Sequence, residues 1–205
     1  MTRAPGLALA AALLLGAAGA GPAPAGPTAH TAQQPTAVVV LAGGCYWGVE
    51  SVFHHVRGIR SATSGYALPV PAGGRAAPPV EAVRLVYDPA LISFRRILDV
   101  FFAVVHDPTQ VDRQGPDVGP EYRSMILVGG DAQRAEARAA IDSLASARVF
   151  PRPIATEIAA LRVFQIVEPS QQDYAARHPD DPYIMTYDVP KLAALRRVFP
   201  RLYRD

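Results

Sequence analysis

Ala37-Val38-Val39-Val40-Leu41-Ala42-Gly43-Gly44-Cys45-Tyr46-Trp47-Gly48-Val49-Glu50 is the stretch from which the rest of the chain can be laid out. Its apolar, valine-rich first half, stopped by two glycines, reads as a strand buried on both faces. Beyond the glycines, Val49, Val52, Phe53 and Val56 recur at helical spacing until Gly58. A strand that turns into a helix here puts Cys45 in the first helical turn. Further along, Ile59 to Tyr66 and Val80 to Tyr87 alternate as strands do. Ser93 caps a helical pattern to Val105 that carries Ile97, Val100, Phe101 and Val104. Tyr122 to Val128 predicts a strand, Asp131 to Ala147 a helix, and Glu157 to Val167 another strand. This alternation predicts an α+β fold, with a mixed or antiparallel sheet and flanking helices.

Composition sets the outer limits. The 205 residues are 50% hydrophobic and 19% charged, as in a globular domain and unlike a disordered tail or a polytopic membrane protein. A single cysteine excludes a disulfide scaffold and a Cys-rich zinc site. The formal charge of +2 comes from basic residues spread along the chain, which gives no electrostatic footprint for nucleic acid. The length fits one domain that stands without disulfide or metal staples, and no internal repeat interrupts it.

Residues 1 to 20 hold one charge, Arg3, then an apolar run from Leu7 to Leu15 and the small residues Ala18-Gly19-Ala20. That is the pattern of a cleaved signal peptide, and the run is short for a membrane span, which takes about 20 residues. No twin arginine precedes it and no cysteine follows, so neither a Tat signal nor a lipoprotein anchor is supported. The expected location is therefore exported, periplasmic or secreted, without stable membrane insertion after cleavage. Residues 21 to 36, with Pro22, Pro24, Pro27 and Pro35, read as a flexible linker. The folded domain is then 37 to 205. A free thiol kept in an oxidising compartment calls for a reason.

Chemistry supplies one. At a helix start, unpaired N–H groups and the helix dipole favour an anion. An ordinary thiol of pKa about 8.5 is only some 3% thiolate at pH 7, and a fall of about two units makes thiolate the major form. The expectation from position is a lowered pKa and a nucleophile. A small buried packing cysteine is the plainer alternative. Tyr46 and Trp47 suit either a helix core or the wall of a pocket for a sulfur-bearing group. Glu81 fits a solvent-facing strand position, and Tyr66 and Tyr122 fit strand packing, as well as they fit chemistry. His54 and His55 point in different directions from one helix and make a poor metal pair, better placed on its surface. His106, before Asp107-Pro108, suits a turn.

Four segments in order raise the specificity. Gly44-Cys45-Tyr46-Trp47-Gly48, Ser64-Gly65-Tyr66, Glu81 with Tyr87-Asp88-Pro89, and His106-Asp107-Pro108-Thr109 through Arg113-Gln114-Gly115, Asp117, Gly119 and Tyr122-Arg123-Ser124 together resemble the A-type peptide-methionine sulfoxide reductases. The resemblance runs over most of Ala37 to Lys191. It implies a ferredoxin-like two-layer core and the reduction of methionine S-sulfoxide, free or in proteins, without metal or organic cofactor. By the same resemblance Cys45 attacks the sulfoxide sulfur and becomes a sulfenic acid, and Glu81 protonates the oxygen. Tyr66 and Tyr122 add hydroxyl donors, Tyr46 and Trp47 receive the methyl group, and Asp117 positions the polar side of the site.

The chain departs from that family in two places. The stretch between Tyr66 and Glu81 is short and proline-rich, with Pro78-Pro79-Val80 where Gly-His-Ala is usual. The region from Pro179 to Asp205 has no resolving cysteine, so an external reductant is implied: a thioredoxin-like or glutaredoxin-like domain, or a small thiol. A monomer is expected. Two rival readings remain, an exported thiol peroxidase or Cys hydrolase, and a binding module that keeps the fold without turnover.

Overall fold

The computed structural model describes residues 1–2, 35–70 and 77–205. The predicted leader and most of the linker lie outside the described residues, as do residues 71–76 of the short stretch between Tyr66 and Glu81. Gln34–Asp205 is one compact unit. Among the described residues no helix is long and apolar enough to cross a membrane.

In chain order the elements are β1 (Ala37–Ala42), α1 (Tyr46–His54), β2 (Ile59–Pro69), β3 (Val80–Tyr87), α2 (Phe94–Val100), β4 (Arg113–Gln114), β5 (Asp117–Val118), β6 (Met125–Val128), α3 (Asp131–Ser146), β7 (Glu157–Ile166), α4 (Tyr174–Arg177) and α5 (Val189–Val198). Short π-helical turns follow α2 at Phe101–Val105 and precede α5 at Ile184–Asp188. The predicted Ser93 cap is present, its hydroxyl accepting from the N–H of Arg96.

The mixed sheet and flanking helices are as the alternation predicted. The ferredoxin-like two-layer core is not: β1, β3, β2, β7 and β6 form a closed barrel in that order. Closure falls to β6. It pairs antiparallel with β1 through Val40↔Leu127, Leu41↔Ile126 and Ala42↔Met125, and parallel with β7 from Met125↔Glu157 to Val128↔Ala160. A strand bonded on both edges leaves the sheet no free edge there, which removes the template for unwanted pairing.

Closure also explains the opening apolar run. Val40 and Ala42 of β1 belong to a small cluster with Ala67, Val80, Ala82, Met125 and Leu127, drawn from β2, β3 and β6 and packed against β7 residues. These side chains fill the barrel, and alanines recur because a five-stranded interior is narrow. Val39 and Leu41 point the other way, into the main core with Val49, Val52, Phe53, Phe101 and Leu195 under the helices. Each large side chain buried in this way contributes about 1.5–3 kcal/mol. Alternation then assigns faces on β3. Val80 and Ala82 enter the barrel, Val83 and Leu85 the helix-covered core, and Glu81 shares the side of Val83 and Leu85.

The strand predicted from Tyr122 is shorter and begins at Met125. Pro120–Tyr122 is a 3-10 turn instead. The Arg123 guanidinium holds it by donating to the carbonyls of Pro120 at 2.6 Å and Pro78 at 2.9 Å, while the Ser124 hydroxyl bonds to His106 and Thr156. Backbone tethered in this way cannot lie flat in the ladder.

Candidate active site

Cys45 is the N-cap of α1, reached through Gly44 at φ +91. A side chain at Gly44 would be strained by that φ and would also meet the Gln114 side chain at 2.6 Å. Gln114 in turn bonds the backbone of Asp107 at both ends of its amide. The β4–β5 ribbon that carries Asp117 is thereby packed against the thiol loop.

The thiol itself reverses the expectation from position. Its pKa is pushed up to about 12, first by burial and then by the negative charge of Glu81. The Trp47 N–H beside the sulfur works in the opposite direction, as do helix-start amides generally, but it is outweighed. At rest Cys45 is a protonated thiol.

Glu81 is buried, not solvent-facing, and burial raises its carboxyl to about 7, with Asp117 and Glu121 adding to the effect. Its Oε2 accepts the N–H of Tyr46 at 3.1 Å. Directly across the ladder lies Tyr66, paired in register with Glu81, on the same face and at the rim of the site. The Tyr122 hydroxyl is pushed to about 12 by burial and by Glu81 and Asp117. All seven residues singled out in the sequence are thus joined by contact or charge around the sulfur: Cys45, Tyr46, Trp47, Tyr66, Glu81, Asp117 and Tyr122.

Trp47 sits among tyrosine rings. One face stacks on Tyr174, with centroids 3.8 Å apart and planes 10° from parallel, while its edge meets Tyr183 at 6.0 Å. Tyr46 stands edge-on to both Trp47 and Tyr66, at 6.2 and 6.1 Å. Tyr46 and Tyr66 open onto a groove of about 580 Å³ with Leu68, Pro79, Ile166 and Gln171.

Several residues at the site were given no role by the sequence. The Tyr183 hydroxyl donates to Asp117, and burial together with that Asp117 contact holds it protonated. Tyr183 belongs to the His178 to Ile184 segment, whose role no spacing rule indicates. Gln171 accepts from both Tyr46 and Trp47. Asp188 and Lys191 form an ion pair at 3.0 Å under Gly48, and the Asp188 charge adds to the upward push on Cys45.

His106 is structural. Its ring bonds the Phe101 carbonyl and the Ser124 hydroxyl, and burial lowers its pKa to about 3, so it is neutral. His54 and His55 are half-buried instead of standing free on the helix surface. His54 bridges the Ala62 carbonyl and Asp173, and His55 bonds the Ser51 carbonyl and stacks on Tyr203. Glu50, His54 and Asp173 do come together, with one oxygen or nitrogen of each within 4.8 Å of the others. The Glu50 carboxylate there already accepts the N–H of Asp173, so the group ties α4 to α1.

A half-buried thiol beside a carboxyl poised to hold a proton at neutral pH, walled by aromatic rings and carried on a closed α+β sheet, defines a thiol-dependent enzyme site. Residues 37–201 match the family described as peptide methionine sulfoxide reductase. The chain is 40% identical to a peptide methionine sulfoxide reductase MsrA 2 of Mesorhizobium japonicum over 173 residues, 81% of this chain and 89% of that one. It is 38% identical to an MsrA of Thermus thermophilus, over 83% of this chain and 99% of that one. Among solved structures, methionine sulfoxide reductase A of Corynebacterium diphtheriae superposes with TM-score 0.59 at 28% identity, covering 72% and 77% of the two chains. Reduced Mxr1 of Saccharomyces cerevisiae gives TM-score 0.61 at 26% identity, covering 71% and 87%. The chain belongs to the peptide methionine sulfoxide reductase family.

Proposed function

We propose that this reductase uses the Cys45 sulfur to take the oxygen from methionine S-sulfoxide, with Glu81 as proton donor. The carrying observation is the paired upward shift of a half-buried thiol and a buried carboxyl: both protons the reaction needs are stored at the site near neutral pH. A sulfoxide oxygen leaves poorly until protonated, and Glu81 with its proton can supply it. Tyr66 and Tyr122 offer hydroxyls to the same oxygen, where charge develops as the S=O bond polarises. Tyr46 and Trp47 receive the methyl group, and Asp117, fixed by Tyr183, sets the polar side.

The reaction balances as follows. Glu81 gives its proton to the sulfoxide oxygen while the Cys45 sulfur bonds to the sulfoxide sulfur, and the thiol proton passes to the Glu81 carboxylate. Protonating Glu81 removes the charge that burdened the thiolate, so each transfer eases the other. Collapse leaves the oxygen on Cys45 as a sulfenic acid and releases the thioether; the thiol is oxidised by two electrons and the sulfoxide reduced by two. One external thiol then condenses with the sulfenic acid, losing water, and a second releases Cys45 and a disulfide. With one cysteine in the sequence, a thioredoxin-like or glutaredoxin-like domain or a small thiol is the reductant proposed.

Full-length protein given a racemic methyl sulfoxide and dithiothreitol should consume the S epimer alone, and Cys45→Ser should consume neither. Turnover of peroxide with sulfoxide untouched would overturn the assignment. Export is a separate proposal from residues 1 to 20, tested by mass spectrometry of the native protein: an intact Met1 terminus refutes cleavage after Ala20.

A further inference from the structure

We infer that Gln171 is the positioning residue of the aromatic pocket, one amide oxygen that holds both Tyr46 and Trp47 in place. Its Oε1 accepts the Tyr46 hydroxyl at 3.3 Å and the Trp47 indole N–H at 3.2 Å. An indole nitrogen can only donate, so the amide orientation is fixed with oxygen toward Trp47. The two rings it joins stand 77° apart, an edge-on arrangement that a shared acceptor between their polar ends preserves.

Gln171 is suited to this because it is anchored from behind. It ends the Pro169–Gln171 turn, and the next residue bolts that turn to β2: Gln172 accepts from the Ser64 N–H at 3.0 Å and donates to the Ser64 carbonyl at 2.8 Å. Asp173 then donates its N–H to Glu50 at 2.9 Å, and Tyr174 stacks on Trp47. Four successive side chains or amides therefore close on α1 and β2, and Gln171 is the member that reaches the pocket. Its place on the groove beside Tyr46 and Tyr66 means that changing it alters a surface, not the core. The Tyr46 hydroxyl gives Gln171 a second donor that a phenylalanine there would lack.

This inference rests on the reading that the two rings receive the methyl group, and its test separates the two. Trp47 is the only tryptophan in the sequence, so fluorescence reports its bond to Gln171 without substrate. Gln171→Met, matched in size but lacking the acceptor, should shift Trp47 emission. It should also raise KM for the sulfoxide about three- to tenfold, the span of one or two neutral hydrogen bonds, with kcat nearly unchanged. Gln171→Glu still accepts both bonds and should keep parental KM and emission. Unchanged emission and KM in Gln171→Met would overturn the inference, as would an equal loss of kcat in both variants. If the parent reduces no sulfoxide, the reductase reading fails, and the emission of the two variants still decides whether Gln171 holds Trp47.

Discussion

The main-chain N–H of Tyr46 donates to Oε2 of Glu81 across 3.1 Å, joining residues 35 apart in the chain. The next N–H of the same helical turn, that of Trp47, lies beside the Cys45 sulfur and favours its thiolate. One of the free amides that every helix start leaves over is thus given to the acid, and the next lies beside the nucleophile. Their separation is set by helix geometry and not by flexible side chains. The same turn that would activate the thiol alone has been divided, and the balance of charge passes to Glu81.

Glu81→Gln should keep the Tyr46 bond through the amide oxygen while removing the transferable proton. Sulfoxide reduction should slow by about 10² to 10⁴. In the parent, kcat/KM should decline as pH rises past about 7, where Glu81 loses its proton. That limb should be absent from the variant. A parental rate in Glu81→Gln would move the proton donor to Tyr66 or Tyr122.

Stability should follow the same group with the opposite benefit. Folding raises the Glu81 carboxyl from 4.5 to about 7, so the folded state holds the proton longer than the unfolded one. The stability tied to that proton is complete below pH 4.5 and lost as pH rises through 7, an effect of about 3 kcal/mol for this buried group. Urea denaturation should therefore find Glu81→Gln more stable than the parent at pH 8.5, with the difference vanishing at pH 4. Equal midpoints at pH 8.5 would contradict the burial cause.

Cys45 should alkylate slowly despite its helix-start position. With its pKa near 12, iodoacetamide at pH 8 should react at least ~10²-fold more slowly than with an ordinary exposed cysteine. Glu81→Gln removes the second cause of the upward shift and should speed alkylation. A parental rate matching free cysteine would show the thiol to be ionised at rest.

Gly48→Ala tests the packing behind the thiol. An added Cβ would clash with the Asp188 carboxylate and meet the Lys191 ammonium at 2.5 Å, both members of a largely buried ion pair. The expected cost is about 1–3 kcal/mol from overpacking, read as a lower Tm. A Tm equal to the parent's would mean that α1 can move off α5 freely.

The outline of the fold was open to a reader of the sequence because periodicity is local. Val80–Tyr87 and Ala37–Ala42 begin and end where alternation and the glycine pair place them, and Ser93 caps as its residue type suggests. The closed barrel was not readable, since the pairing of β6 with both β1 and β7 joins segments some 30 to 85 residues apart. The helper residues Gln171 and Tyr183 were equally silent. A glutamine in a short turn and a tyrosine after Asp-Asp-Pro become meaningful only when folding brings them to Trp47 and Asp117.

By itself the sequence determined the α+β alternation, the single thiol at a strand-to-helix turn, and the family through four ordered motifs. The sign of the thiol's pKa shift belonged to the tertiary structure alone. A helix start lowers a thiol's pKa by local dipoles that any sequence reader can count. Burial and a carboxylate contributed from another strand raise it, and desolvation depends on everything packed around the sulfur. The larger effect came from the part of the molecule that only folding assembles.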